Sequence, residues 1–309
     1  MRVIGAIERV PPPSVDEFAE RFVGPERPVV LAGAIDQWEA RSRWTAAGLR
    51  ARLQGVTTSF KVSPSHRHPD FRATSLAETF AVEAGTFDEL FDRVTGSQAA
   101  RYLLTGSEEF LLRRAETGEL ERNPKLARLL DDIEIPPFVP LERLRSSWFW
   151  ISGAGVRTWL HYDNNGCHNL NAQVSGAKRV LLFEPDQLPR LYPFEFGGEN
   201  PAYNCCRVDV ESPDLDAFPE FGGVECWSGE VEAGDLLFVP ANWIHTFAHV
   251  GDWNVNVNFW WCPRRPRETV VSIRQAILDE AAARGELTEP EREEFARRER
   301  LALGARAGR

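Results

Sequence analysis

The sequence predicts a mostly β protein whose second half folds as a sandwich or barrel, with α/β elements before it and helices after it. Between positions 148 and 261, short apolar runs alternate with turns rich in Gly, Pro, Asp and Asn, which is typical of antiparallel sheets. Before position 140, helix and strand signals alternate, and after position 263 a helical periodicity returns. The 309 residues, 43% of them hydrophobic, suffice for one such barrel with additions.

The first 140 residues carry clear local signals. Ser14 followed three positions later by Glu17 is a capping box and predicts a helix through Phe22. The remaining elements predicted here are a buried strand over 28–32, a helix over 45–53, a strand over 57–62, a second capped helix over 86–94 and a short strand over 101–105.

Seven apolar runs predict the strands of the second half. They cover residues 148–152, 160–163, 169–174, 179–183, 231, 236–239 and 254–261, and Ser175-Gly176-Ala177 is predicted to be a turn between two of them. In the tail, apolar positions recur every three or four residues over 270–281, which predicts a helix that Gly285 can end.

Composition excludes several classes of protein. A formal net charge of −10 and a pI near 5.3 argue against nucleic-acid binding through a broad basic surface. No run of 18 apolar residues is present, so no membrane span is expected. Five cysteines without a CxxC pair indicate neither a disulfide framework nor a structural zinc site. With a short, charged segment at the start, these features favour a cytoplasmic protein.

His161-Tyr162-Asp163 is the most informative triplet. Residues two apart on a strand point to the same face, so an imidazole and a carboxylate would converge. His245, which follows a turn at Gly234-Asp235 and a buried strand, would complete a 2-His-1-carboxylate triad that leaves coordination positions open for Fe(II) chemistry. Alternatively, the two histidines are ordinary half-buried side chains, since an HxD triplet alone is weak.

Polar residues beside this triplet predict a pocket for a dicarboxylate that chelates the iron. Thr158, Asn169 and Lys178 are placed to bind its far carboxylate, because a buried lysine needs an anionic partner. Lys178 in an exposed turn is the alternative. Asn254, Asn256 and Asn258 alternate with valines, and because Asn is disfavoured in strands, we expect an enclosed polar cavity; a solvated sheet face would also account for them.

With these residues assembled, the chain resembles the JmjC-type, cupin-like 2-oxoglutarate oxygenases, particularly the small members similar to asparaginyl hydroxylases. The resemblance spans roughly residues 10 to 262. The segments that carry it are RPVVLAGA at 27–34, TWLHYD at 158–163, NLNAQVSGAKRVLLF at 169–183, GDLLFVPANWIH at 234–245 and VNFW at 257–260.

The resemblance implies a double-stranded β-helix (cupin or jelly-roll) core at about 145–262, preceded by additions at 1–140, so that 1–262 form the catalytic domain. It implies that 263–309 are a helical extension, suited to a homodimer. It also implies Fe(II) on His161, Asp163 and His245. The residues implied to bind 2-oxoglutarate as co-substrate are Lys178, Thr158, Asn169, Asn258 and Tyr102.

The implied activity is hydroxylation of a protein or peptide side chain. A free amino acid or a natural-product intermediate is an alternative substrate, and the loop at 164–168, longer than usual for the family, keeps the substrate open. A lysine demethylase would use the same iron chemistry. A cupin isomerase would normally carry a second His where Asp163 stands, and a non-catalytic binding module would be expected to have lost a ligand.

Overall fold

The structure is a computed structural model that describes residues 1–62, 81–96, 102–103, 110–115, 117–163, 166–194 and 204–263, with 279 and 282–285 near the end of the chain. Its strands are β1 Arg2–Ala6, β2 Glu8–Val10, β3 Val29–Leu31, β4 Thr57–Val62, β5 Ala81–Thr86, β6 Tyr102–Leu103, β7 Phe110–Arg114, β8 Leu120–Arg122, β9 Leu144–Gly153, β10 His168–Phe183, β11 Glu225–Val231, β12 Leu236–Val239 and β13 Ile244–Trp261. The α-helices are α1 Val15–Phe18, α2 Ala40–Arg43, α3 Ala46–Arg52 and α4 Phe87–Val94.

Two long antiparallel strands, β10 and β13, form the centre of the sheet. The first half of β10 also pairs with β12 and its second half with β11, while β13 pairs with β9 on its other side. The mixed sheet orders the strands β2-β3-β12-β10-β13-β9-β6-β4-β5. This arrangement confirms the mostly β fold with a double-stranded β-helix core.

The turn predicted at Ser175-Gly176-Ala177 is wrong. β10 runs through it as one strand, with register shifts against β13 between Gln173 and Ala177. Regular alternation would place positions 171 and 178 on opposite faces. The irregularity in the strand brings the two side chains to the same face. Lys178 consequently lies within hydrogen-bond distance of Asn171.

The predicted strand at 160–163 is also wrong. His161 makes only isolated bridges, to Cys205 and to His245, and the residues around it are irregular. The sequence pattern did not indicate β1 at all. This strand pairs in parallel with β11, and β2 pairs in parallel with β3, so the first ten residues lie along the strands of the barrel.

The predicted helices of the first half are confirmed. Ser14 Oγ accepts a hydrogen bond from the Glu17 amide and begins α1, which continues as a π-helix over Ala19–Val23. Thr45 caps α3, and Thr86 forms the reciprocal capping box of α4. These helices share one apolar core with β10 and β13.

Buried Asp132, the last residue of a 3-10 helix over Ala127–Asp132, ties that helix to α2, α3 and Trp44. Its carboxylate accepts from Arg43 Nη1 at 2.8 Å, Arg52 Nε at 2.6 Å and Trp44 Nε1 at 3.0 Å. Burial alone would raise the pKa of Asp132, but these donors outweigh it and lower the pKa. The carboxylate therefore remains charged inside the fold.

The predicted tail helix and the proposed dimerisation element lie almost wholly outside the described residues, so the homodimer stays a prediction. Among the described residues, no helix has the length and apolar character needed to cross a membrane.

Candidate metal centre

Three side chains with metal-binding atoms meet at one end of the barrel. One nitrogen of His161, one oxygen of Asp163 and one nitrogen of His245 all lie within 4.8 Å of one another. The backbone brings the two histidines together, because the His161 amide donates to the His245 carbonyl at 3.0 Å and the reverse bond is 2.7 Å. The convergence predicted from the HxD spacing is present, although a bridge to β13 produces it rather than a regular strand.

Both imidazoles are oriented in the same way. His161 Nδ1 lies 2.7 Å from the carbonyl of Trp159, and His245 Nδ1 lies 3.0 Å from the carbonyl of Trp243. A carbonyl only accepts, so Nδ1 must carry the proton in each ring. In the neutral imidazole this leaves the Nε2 lone pair available for a metal ion.

The Asp163 carboxylate is held through one oxygen only. Oδ2 accepts from Asn169 Nδ2 at 2.9 Å and from Trp260 Nε1 at 2.9 Å. The described hydrogen bonds leave Oδ1 available. His245 is buried, whereas His161 and Asp163 are half-buried, so the described residues leave one side of the cluster partly accessible to solvent. Two imidazole nitrogens and one carboxylate oxygen with an open side are the donor set of a non-haem Fe(II) centre.

A network of buried amides connects Asp163 with Lys178. Asn258 Nδ2 donates to Asn169 Oδ1 at 2.9 Å, and Asn171 Nδ2 donates to Asn258 Oδ1 at 3.4 Å. At the far end, Lys178 Nζ donates to Asn171 Oδ1 at 3.1 Å and to a further amide oxygen in β13 at 2.7 Å. We call Asn169, Asn171, Asn256 and Asn258 the amide network.

Lys178 is a buried cation, 2% exposed. Its Nζ also lies 5.0 Å from the centroid of the Phe247 ring. No carboxylate among the described residues lies within 4.0 Å of Nζ, and burial lowers the pKa of Lys178 well below its usual range. His249 is paired with Lys178 on the neighbouring strand and contacts Ser152. Burial, and secondarily the charge of Lys178, lowers the pKa of His249.

Of the other predicted co-substrate residues, Asn169 and Asn258 both belong to the amide network. Thr158 lies beside β13, where its Oγ1 accepts from the Phe247 amide at 2.9 Å. Thr158 also borders a cavity of about 840 Å³ whose lining includes none of the three metal-binding side chains. Tyr102 is in β6, which pairs with β4 and β9, but its side chain lies outside the described part of the molecule.

Two contributions to the site were not predicted from the sequence. Trp260 was placed only within the VNFW segment, yet its indole N–H donates to Asp163. Asn256 was predicted to face a polar cavity, but its bond to Lys178 depends on the register of β13 against β10. His168 lies apart from the cluster: its ring packs on Phe238 and Trp261, and its Nδ1 accepts an amide hydrogen bond.

The chain is similar in sequence to several known proteins. Residues 15–265 match the family model described as the cupin-like domain. Over 248 residues the chain is 31% identical to the Danio rerio tRNA wybutosine-synthesizing protein 5, covering 78% of this chain and 71% of that protein. The Homo sapiens protein of the same name is 29% identical over 305 residues, which is 92% of this chain and 91% of that protein.

A second group of relatives carries a different name. The Xenopus tropicalis lysine-specific demethylase 8 is 27% identical over 267 residues, 83% of this chain. The match covers 53% of that protein, so this chain corresponds to about half of its length.

Proposed function

Because the chain belongs to the family of proteins with a cupin-like domain, we propose that it is an Fe(II)- and 2-oxoglutarate-dependent oxygenase. One observation carries the proposal: the metal-binding cluster and a buried, unneutralised lysine lie at opposite ends of one amide network. A metal ion at one end of the site and a cationic group at the other are what a dicarboxylate co-substrate that chelates the iron would require. His161, Asp163 and His245 would hold the iron.

We propose that Lys178 binds one carboxylate of a dicarboxylate co-substrate. An isolated charge in an apolar interior is costly, and amide oxygens alone do not neutralise an ammonium group. The distal carboxylate of 2-oxoglutarate would neutralise it, and we propose that Thr158, Asn258 and Tyr102 assist. Asn169 has a more direct task, since its amide already positions Asp163.

The bound iron and 2-oxoglutarate supply reductive activation of O2 coupled to oxidative decarboxylation of the co-substrate. The protein residues orient and enclose these groups. The carbonyls of Trp159 and Trp243 fix the tautomer of each histidine, and Trp260 and Asn169 keep one carboxylate oxygen of Asp163 occupied. Burial of Lys178 excludes water from the anion end of the pocket.

We propose a protein or peptide side chain as the substrate, hydroxylated at carbon, with a free amino acid or natural-product intermediate as the alternative. The open side of the cluster supports access by a group larger than O2. Next to it, Trp148 and Trp150 lie with ring centroids 6.4 Å apart, and Trp260 is 6.4 Å from Trp150. These three rings would line the approach to Asp163.

Lysine demethylation is a second candidate, favoured by the same row of indoles. Aromatic faces attract methylammonium groups through cation–π interactions. The relative named as a lysine-specific demethylase supports including this substrate class. Both reactions would begin with oxidation of a C–H bond, so the proposed iron centre serves either.

The first test separates cofactor binding from turnover. Anaerobic addition of Fe(II) and 2-oxoglutarate should produce the charge-transfer absorption of a chelated keto acid, and Asp163→Ala should abolish it. The matched control is Asp252→Ala, at an exposed position of β13. An unchanged absorption band in the Asp163 variant would refute the assignment of the metal centre.

The second test identifies the substrate class. Succinate release is measured with pools of unmodified peptides, methyl-lysine peptides, small metabolites and tRNA. We expect the unmodified peptide pool to stimulate succinate release above the background seen without substrate. Stimulation by methyl-lysine peptides with formaldehyde release would favour demethylation, and stimulation by tRNA would contradict the prediction, made from net charge, that nucleic acid is not a partner.

A further inference from the structure

Two cysteine thiols meet at the end of the barrel. Sγ of Cys167 lies 3.6 Å from Sγ of Cys262. Cys167 immediately precedes β10 and Cys262 immediately follows β13, whose terminal residues His168 and Trp261 are paired. Extending this antiparallel register by one residue places the two cysteines directly opposite each other.

The backbone is suited to a covalent link at this position. Directly opposed residues on antiparallel strands have Cα atoms about 4.5–5.5 Å apart, within the range of about 4.4–6.8 Å found in disulfides. The thiols are already in contact, so only side-chain rotation and a small shift separate them from bonding distance. Neither thiol is needed for the proposed iron chemistry.

The surroundings make Cys262 the more reactive of the two. It is half-buried, whereas Cys167 is 1% exposed. The hydrogen bond from Cys167, helped by the charges of Arg145, Arg143 and Arg114 and opposed by burial, lowers the pKa of Cys262 to about 7.

Acidic groups lie near the pair as well. Glu142 lies 3.7 Å from Arg143 Nε and partly offsets the charge of that arginine. The charge of Asp163 raises the pKa of Cys167 rather than that of Cys262. A thiolate is the nucleophilic form of cysteine, and basic neighbours of this kind favour it. Cys262 is therefore the expected point of first attack.

We propose that Cys167 and Cys262 are a site of reversible oxidation that closes to an intramolecular disulfide when the protein meets hydrogen peroxide. The Cys262 thiolate attacks one peroxide oxygen, the O–O bond breaks, and the departing hydroxide takes a proton to become water. The Cys167 thiol then attacks the sulfenic sulfur, the S–S bond forms, and the sulfenic oxygen departs as a second water. Two thiols lose two electrons and one peroxide is reduced to two waters.

The other cysteines provide internal controls. Burial raises the pKa of Cys206, and burial raises the pKa of Cys226 to about 11, so both should react slowly. Cys205 and Cys206 are adjacent in sequence and not opposed across strands. Peroxide-dependent pairing should consequently be confined to Cys167 and Cys262.

The test treats the full chain with a small molar excess of hydrogen peroxide. A chelator is present so that bound metal does not act as oxidant. Remaining thiols are alkylated, and intact mass and digested peptides are then measured. We expect loss of the mass of two hydrogen atoms, a peptide cross-linked between Cys167 and Cys262, and recovery of both thiols with dithiothreitol. Cys262→Ser should abolish the mass loss, and the matched variant Cys206→Ser should retain it.

Three results would overturn the proposal. They are full alkylation of both thiols after peroxide, a cross-link between Cys205 and Cys206 instead, and conversion of Cys262 to sulfinic acid without a cross-link. The wild-type peptide map decides among these even if a variant folds poorly. None of the readouts depends on oxygenase activity, so failure here leaves the proposed function standing.

Discussion

Replacement of Trp260 by Phe tests whether the indole N–H positions the iron-binding carboxylate. The bond from Nε1 to Asp163 Oδ2 is 2.9 Å long and lies in a residue that is 7% exposed. A hydrogen bond to a charged acceptor contributes about 1.5–3 kcal/mol, which corresponds to an affinity factor of about 10 to 150. This is an upper limit for metal binding, because the bond also exists without metal.

The expected loss of Fe(II) affinity in Trp260→Phe is therefore about tenfold and at most about 100-fold, as found for residues that orient metal ligands. Anaerobic isothermal titration with Fe(II) measures it. The matched control is Trp261→Phe on the opposite face of β13, where the indole stacks on Phe238 with ring centroids 5.9 Å apart. Equal affinities in the two variants would refute the positioning role of Trp260.

Three further outcomes are expected. Lys178→Met should weaken 2-oxoglutarate binding about 100-fold or more, because the bound carboxylate loses its buried cationic partner; calorimetry measures the affinity, with exposed Arg179→Met, on the other face of β10, as control. Burial, aided by the charge of Arg143, lowers the pKa of His168 to about 3. The unfolded state therefore binds the extra proton below about pH 6.5. In urea denaturation His168 alone should lower the wild-type stability by up to about 1.4 kcal/mol per pH unit from pH 6.5 towards 3, and His168→Gln should lose this part of the slope. Asp132→Ala should cost about 3 kcal/mol of unfolding free energy, since two arginines lose their buried partner, whereas exposed Asp131→Ala should cost almost nothing by the same assay.

Local signals predicted the helices of the first half well because their caps are local. Ser14, Thr45 and Thr86 each bond an amide three residues later. Such an interaction depends only on residues that are close together in the sequence. The parallel strand β1 could not be predicted in this way, because its partner β11 lies more than 200 residues away and nothing in residues 2–6 alternates strongly.

The spacing of residues in the sequence predicted which side chains meet at the metal centre, but not how the backbone brings them together. The HxD triplet and His245 were chosen for strand geometry and a preceding turn, and the side chains do converge. The convergence comes from an isolated bridge between His161 and His245, a non-local contact that strand periodicity does not describe. The three side chains thus converge as predicted, although the physical reason that strand spacing gives for it is incomplete.

The burial of Lys178 depended on a feature that sequence alone does not display. The Ser175-Gly176-Ala177 stretch has turn composition, and the two register shifts arise only from pairing with β13. The shift in parity brings Lys178 to Asn171 and Asn256. The role of Trp260 was missed for the same reason, since it depends on which β10 residue stands opposite.

The pairing of β1 with β11 has a consequence for how the protein is made. Arg2 contacts Glu225 across 223 positions, so a ribosome releases β1 long before its partner β11 exists. Such distant pairings slow folding, because a large chain loop must close first. Until then β1 has an unpaired edge that can join another chain. Nascent molecules should therefore need protection by chaperones until synthesis has passed position 231, and low temperature during expression should raise the yield of monodisperse protein.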